Sequence, residues 1–305
     1  MKIAMFGHKR IPSREGGVEI VVENLASRMA EKGYDITVYN RKGHHVSGSE
    51  FDSESGKDKL SKVKIKTVFT FQNSSLNAIV YSILSAIRVS FSKCDVVHIH
   101  AEGPASMSFL PKFFGKKVIV TIHGLDWQRS KWGGFATKFL KYGEKNAAKY
   151  ANEVIVLSKN VQKYFKDTYD RDTVYIPNAV DKPVIKSDEE IKKLYDLEKD
   201  GYILFLGRIV PEKGIHYLIK AYNELDCGKK LVIAGGASHT SEYVNEVKQL
   251  ASGNNNIIFT DFVQGEVLEE LYSNAYIYVL PSDLEGMPLS LLEAMSYGNC
   301  CITSD

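Results

Sequence analysis

Short runs of β-branched and aromatic residues alternate with longer amphipathic stretches from the first residue of the chain. Lys2–Phe6, Asp35–Tyr39, Lys64–Phe69, Asp95–His100, Lys117–Ile122, Glu153–Leu157 and Thr173–Ile176 have the length and composition of strands. Helix-period stretches lie between several of them, at 17–32, 75–92, 133–150 and 159–167. The alternation predicts a parallel sheet with helices on both faces. The pattern restarts after Asp181. A short helix at Asp188–Leu197 leads into strands Tyr202–Leu206, Lys230–Ala234, Asn256–Thr260, Tyr276–Leu280 and Asn299–Thr303. Helices are predicted between these strands near 214–225, 241–251, 266–273 and 288–297. Two doubly wound α/β units are therefore expected, residues 1–180 and 181–305, joined near 180–200. Gly43–Ser61 is polar and reads as a mobile loop. Neither unit has Gly-x-Gly-x-x-Gly after its first strand, which argues against a dinucleotide dehydrogenase.

The most informative stretch runs from Tyr276 to Gly298 as a buried strand, a tight loop and a helix. Pro288 suits the first helical position, where its missing N–H would be unpaired in any case. Gly298 suits the C-terminal stop. The N–H groups of Leu289 and Ser290 would then point out of the helix start, a setting suited to phosphate. Glu285 precedes that terminus and Glu293 lies about a turn and a half inside. Both carboxylates can accept from hydroxyls, and a phosphate flanked by two such groups describes a nucleotide sugar. A surface helix with two solvated glutamates has the same spacing.

Other strand ends carry complementary chemistry. Gly207-Arg208-Ile-Val-Pro-Glu-Lys213-Gly214 puts a planar guanidinium and a compact ammonium in a loop before a helix, able together to neutralise a diphosphate. Gly16 and Gly17, between the first strand and first helix, would let backbone approach a ligand, and Lys9, Arg10 and Arg14 would favour an anion there. His123 follows an apolar strand, where an imidazole can bond sugar hydroxyls or polarise a reacting oxygen. Asp126 is a candidate for orienting an acceptor hydroxyl, or a structural loop residue. His98 and His100 share a strand face with no third ligand in evidence, and read as structural. No metal site is expected.

Composition is that of an ordinary folded protein: 305 residues, 44% hydrophobic and 25% charged. The net charge of +2 hides an asymmetry. Residues 1–180 carry 28 Lys/Arg against 17 Asp/Glu, hence +11, and residues 181–305 carry 11 against 20, hence −9. A basic first unit favours an anionic surface such as an acidic membrane leaflet; no nucleic-acid motif supports the competing partner. Lys138, Lys141, Lys145 and Lys149 recur at spacings of three and four on one helix face, which suits a membrane surface or a merely solvated face equally, and Phe135, Phe139 and Tyr142 can fall elsewhere and pack inward. A second helix is read across Ala105–Lys117. Cys94, Cys227, Cys300 and Cys301 have neither metal nor disulfide spacing and read as reduced, hydrophobe-like residues. The start of the chain does not read as a signal peptide, and Leu76–Phe91 is too short and polar for a membrane span.

Glu285 and Glu293 with the Gly-Arg…Lys-Gly loop resemble the Glu-x7-Glu motif and donor loop of glycosyltransferase family 4, retaining enzymes of the GT-B fold. The resemblance implies two Rossmann-like lobes facing a cleft, an acceptor-binding first lobe and a nucleotide-sugar-binding second lobe. It assigns Glu285 to the donor sugar, Glu293 to the ribose, and Met287, Pro288, Leu289 and Ser290 to the diphosphate. Gly16 and Gly17 would approach the diphosphate from the first lobe, Val263 would line the base pocket, and His123 would touch the donor sugar. The implied reaction is metal-independent transfer of a sugar, with retention, from a nucleotide diphosphate to a glycan or polyprenyl-diphosphate-linked acceptor; no separate cofactor is needed. The opening Gly-His-Lys-Arg-Ile-Pro-Ser-Arg-Glu-Gly-Gly-Val-Glu is similar to bacterial polysaccharide-assembly members, including rhamnosyltransferase-like ones. That implies capsule or exopolysaccharide synthesis in the cytoplasm or at the inner face of the plasma membrane. A nucleotide-sugar epimerase and a non-catalytic nucleotide-sugar or glycan-binding protein are the alternatives. Family members continue past a strand like the one ending near Asp305, so the chain is expected to be a fragment with an incomplete second lobe.

Overall fold

In the computed structural model, residues 1–42, 58–71, 74–128, 133–236 and 241–304 are described. Most of the Gly43–Ser61 loop, Trp132, the Ala237–Ser238 part of the turn after the second unit's second strand, and Asp305 lie outside them. The chain divides into Met1–Asn178 and Ala179–Asp305.

Among its described residues the first unit holds seven strands: β1 (Lys2–Phe6), β2 (Asp35–Arg41), β3 (Lys64–Val68), β4 (Val96–His100), β5 (Lys117–Ile122), β6 (Glu153–Val156) and β7 (Val174–Tyr175). Their order is β3-β2-β1-β4-β5-β6-β7, and every pairing is parallel. Side chains on β1 alternate between two cores, as a doubly covered strand requires. Ala4 and Phe6 pack with Ile99, Val120 and Phe165, whereas Ile3 and Met5 pack with Val22, Ala26 and Val38. The chain winds outward from β1 to β3 and then returns beside β1 as β4. That reversal leaves a crevice beyond the carboxyl ends of β1 and β4, where open α/β sheets take ligands.

The second unit repeats the device with β8 (Tyr202–Leu206), β9 (Lys230–Ala234), β10 (Ile257–Asp261), β11 (Ile277–Leu280) and β12 (Cys300–Thr303). The order is β10-β9-β8-β11-β12, again all parallel, with its reversal between β8 and β11. One core, including Tyr202, Phe205, Ile219, Leu271 and Tyr278, fills this unit.

Several expectations need correction. Ala105–Lys117 is not one helix: Glu102–Ala105 and Phe109–Phe113 are separate short helices, and Lys117 already begins β5. On the Gly134–Tyr150 helix, Phe135 and Tyr142 are exposed, and the inward positions are Leu140, Gly143, Glu144, Asn146 and Ala147. The reason is steric. A Cβ at Gly143 would stand 1.9 Å from the Glu102 carbonyl oxygen, so the helix seats its small residues against Glu102; Phe139, by contrast, is half-buried and lies beside Gly103. Cys227 and Cys300 are exposed rather than core-like, and all four cysteines are free thiols.

Pro288 is the N-cap, with extended backbone, rather than the first helical residue of Leu289–Ser296. Gly298 does stop that helix. Its φ is +83°, its N–H donates to the Met295 carbonyl, and the Asn299 N–H donates to the Ala294 carbonyl, which together form a Schellman closure. Among the described residues, no helix is long and apolar enough to cross a membrane.

Candidate functional site

Two loops meet at the reversal of the second sheet. The first follows β8 and carries Arg208 and, in a 3-10 turn over Pro211–Lys213, Lys213. The second follows β11 and carries Glu285 before the Leu289–Ser296 helix. Backbone contacts join them. Gly214 has φ +65° and lies so close to the second loop that a Cβ there would be 1.9 Å from the Pro281 carbonyl oxygen. The Asp283 N–H donates to the Glu212 carbonyl at 2.9 Å. This close approach brings the Lys213 ammonium into an ion pair with Glu285. Arg208 stands at the end of β8 with no acidic partner among the described residues.

The helix beyond Pro288 is anchored from below. Tyr278 on β11 donates its hydroxyl to the Leu206 carbonyl or to Ser290 Oγ, 3.1 and 2.9 Å away. The Tyr272 hydroxyl lies 2.9 Å from Glu293 Oε2 and 3.2 Å from the Ser290 carbonyl, while its ring stacks on Tyr297. Burial, followed by the Glu293 charge, raises Tyr272 well above the usual phenol range, so it serves as a donor. The first N–H groups of the helix, on Leu289 and Ser290, have no intrahelical acceptor, as at any helix start. One unit therefore brings together two cations, a helix start and two carboxylates. Val263 packs partly buried against the core.

In the first unit, His123 follows β5, and its Nε2 and His100 Nδ1 share a hydrogen bond at 3.2 Å. His98 Nε2 lies 2.8 Å from Thr121 Oγ1, and its ring packs on His100. His8, after β1, donates from Nε2 to Asn40 Oδ1 at 2.9 Å. All four imidazoles are held neutral by burial, His8 and His123 pushed down to about 4, His98 to about 3 and His100 well below its ordinary value. Asp126 lies three residues beyond His123 in a 3-10 turn, and its charge acts on His123 in the opposite sense to burial. A neutral imidazole at a strand end can donate to or accept from a hydroxyl, as sugar recognition needs.

The Gly16–Gly17 turn differs from the expected anion cradle in its charge. Lys9 pairs with Glu15 and Arg14 with Glu23, while the Lys9 N–H donates to Glu19. Gly16 caps the Gly17–Glu31 helix in an extended conformation, and a Cβ there would come within 2.7 Å of Glu19 Oε2. The glycine makes room for a carboxylate, and two of the loop's cations are already neutralised.

Sequence reasoning did not single out Tyr272, Tyr278, Glu102 or Glu144. Both tyrosines lie among core aromatics, on the Glu266–Asn274 helix and on β11, and nothing local marks a buried glutamate.

Comparison with known proteins identifies the family and the fold. Residues 15–182 match Glycosyltransferase Family 4 and residues 186–305 match Glycosyl transferases group 1. An uncharacterised glycosyltransferase of Methanocaldococcus jannaschii is 36% identical over 109 residues, 35% of this chain and 28% of that protein. The alpha-maltose-1-phosphate synthase of Mycolicibacterium smegmatis is 26% identical over 69% of this chain and 59% of its own length. An Escherichia coli UDP-Gal:alpha-D-GlcNAc-diphosphoundecaprenol alpha-1,3-galactosyltransferase is 27% identical over 70% of this chain and 58% of its own. The chain thus spans less than two thirds of each of these relatives. Among solved structures, Anabaena HepE in complex with UDP and glucose aligns with a TM-score of 0.77 at 17% identity, covering 99% of this chain and 80% of that one. WaaG, a glycosyltransferase involved in lipopolysaccharide biosynthesis, aligns at 0.71 and 16% identity over 99% and 80%. The fold is that of GT-B glycosyltransferases. With more than half of its residues matched by one family, the chain belongs to glycosyltransferase family 4.

Proposed function

We propose that this chain is the donor- and acceptor-binding part of a retaining glycosyltransferase that moves a sugar from a nucleotide diphosphate to a hydroxyl of a growing glycan or polyprenyl-diphosphate-linked acceptor. The observation that supports the reading is that the loop after β8, with Arg208 and Lys213, and the loop after β11, with Glu285 and the Leu289–Ser296 helix that carries Glu293, meet at one sheet reversal, where Lys213 pairs with Glu285. Arg208, Lys213 and the N–H groups of Leu289 and Ser290 receive the diphosphate and stabilise the charge that grows on it as the glycosidic bond breaks. Glu285 accepts from donor-sugar hydroxyls and Glu293 from the ribose; Met287 and Pro288 shape the diphosphate loop, and Val263 borders the base. In the first unit, His123 and Asp126 bind and orient the reacting sugar groups, and Gly16 and Gly17 give backbone access. The chemistry uses no metal or separate cofactor. The Escherichia coli relative, whose name gives a UDP-sugar donor and a diphosphoundecaprenol-linked acceptor, supports the substrate class.

The setting we propose is bacterial capsule or exopolysaccharide assembly, with the first unit resting on the inner leaflet through its basic surface. A thermal-shift screen of nucleotide diphosphates and nucleotide sugars tests the core of the reading. One nucleotide family should raise Tm in the parent and raise it less in Lys213→Ala. A flat screen, or an equal shift in the variant, removes the diphosphate from this loop.

A further inference from the structure

Two buried glutamates of the first unit have no role in the reading above. Glu102 opens the short helix after β4, and Glu144 lies on the Gly134–Tyr150 helix; both are fully buried. Gly143 lets the two backbones approach to contact distance. Glu102 Oε1 accepts the Asp126 N–H at 3.1 Å. Glu144 Oε2 accepts the Tyr164 and Tyr169 hydroxyls at 3.0 and 2.8 Å, both from the Lys159–Tyr169 helix. The two remaining oxygens, Glu102 Oε2 and Glu144 Oε1, are buried with no donor, and the side chains are in hydrogen-bonding contact. Two carboxylates cannot satisfy each other, but a single proton between those oxygens completes both. The two tyrosine donors stabilise charge on Glu144, which makes Glu102 the protonated member.

We propose that Glu102 is a positioning residue: as a neutral carboxyl group donating to Glu144, it clamps the backbone of Asp126 and thereby fixes the His123–Trp127 segment. Burial, then the Asp126 charge and the Glu144 contact, push its carboxyl up to about 11, consistent with that state. The groups facing it are Asp126 on the 3-10 turn, Glu144 on the long helix and, through Glu144, Tyr164 and Tyr169. Trp127 is held on the same scaffold, with Tyr164 beside its ring and the Lys141 ammonium 4.0 Å above it. The chain of contacts thus runs from the Lys159–Tyr169 helix, through two acids, to the segment that carries His123 and Asp126. The effect on turnover rests on the proposed role of those two residues; the clamp itself does not.

Amide hydrogen exchange over residues 123–128 tests the clamp without an assay of transfer. Glu102→Gln keeps an oxygen for the Asp126 N–H and an amide donor for Glu144, and should exchange like the parent. Glu102→Leu removes both and should accelerate exchange of this segment on the order of tenfold or more while β4 and β5 stay protected. Unchanged exchange in Glu102→Leu, or equal acceleration in Glu102→Gln, overturns the proposal. If Glu102→Leu does not fold, the Gln variant decides alone: parent-like protection supports a shared proton, and lost protection refutes it. In a transfer assay, Glu102→Leu should lower kcat and leave nucleotide affinity unchanged, with rescue by Glu102→Gln. Faster exchange with normal turnover would uphold the clamp and refute the sugar-site role of His123 and Asp126.

Discussion

The Lys213 ammonium and the Glu285 carboxylate, 72 positions apart in the chain, form an ion pair at the reversal of the second sheet. On the proposed reading, a diphosphate entering this loop competes with Glu285 for the same cation. Removing the competitor and removing the cation should therefore have opposite signs.

Lys213→Ala and Arg208→Ala should each weaken binding of a nucleoside diphosphate by about 1.5–3 kcal/mol, the range for a hydrogen bond to a charged group. Glu285→Gln frees Lys213 and should leave that affinity unchanged or tighter while sharply reducing sugar transfer. Titration calorimetry separates the cases. Weaker diphosphate binding in Glu285→Gln would show that the pair is not broken by the ligand.

Glu293 is expected to behave differently because it is tied to the fold. Tyr272→Phe removes the buried hydroxyl that Glu293 and the Ser290 carbonyl share. The loss should be about 1–2 kcal/mol of stability. It should be joined by weaker free-nucleotide binding, as the carboxylate loses its orientation. Denaturant midpoints and calorimetry on the same variant check both parts. A stable variant with normal nucleotide affinity would separate Glu293 from the ribose.

The four imidazoles of the first unit set a pH dependence. Their folded pKa values lie below the ordinary 6.5, with His8 and His123 at about 4 and His98 at about 3. As pH falls below 6.5 the unfolded chain takes up protons that the native state refuses, so stability drops with pH in that window. Glu102 acts in the opposite sense, since its raised pKa keeps a proton in the fold that the unfolded chain releases above 4.5. Four groups outweigh one, and urea midpoints should fall steadily between about pH 6.5 and 5. A flat profile would mean that the native state accepts charge on these rings.

The exposed lysines 138, 141, 145 and 149 motivate a lipid test. Phe135, 79% exposed on the same helix, offers an apolar group to insert beside them. Binding to anionic vesicles should rise with acidic lipid and fall with salt, each lysine near the surface contributing about 1 kcal/mol. Replacing the four by glutamine should reduce sedimentation with vesicles. Salt-insensitive binding, or none at low salt, would assign the charge to solubility.

Much of the architecture was legible because its cause is local. Strands such as Val96–His100 and Tyr202–Leu206 are covered on both faces and so read as apolar runs, and Gly298 announces a helix stop by the backbone conformation it alone adopts easily. The cations and carboxylates of the second unit were legible through their motif spacing. What escaped depends on partners distant in the chain. Glu102 looks like any surface glutamate until Gly143 brings a second helix, and Glu144 with it, onto its backbone. The phenol of Tyr272 is indistinguishable from a core ring until Glu293 stands above it. Phe135 and Tyr142 were placed inward, yet both are exposed, and the face that meets Glu102 is built from Gly143 and its neighbours Leu140, Glu144 and Ala147.

Gly214 has a consequence for redesign. Its contact with the Pro281 carbonyl, and the Asp283 bond to Glu212, make the two donor loops a single frame built of main chain. Side chains mounted on such a frame, at Leu284 and Met287, can be exchanged without altering the path of the chain. An inserted residue between 207 and 214, or a Cβ at 214, would shift the mounting itself. Libraries that seek a new sugar preference are therefore best kept to side-chain variation at those outer positions, with the lengths of both loops held constant.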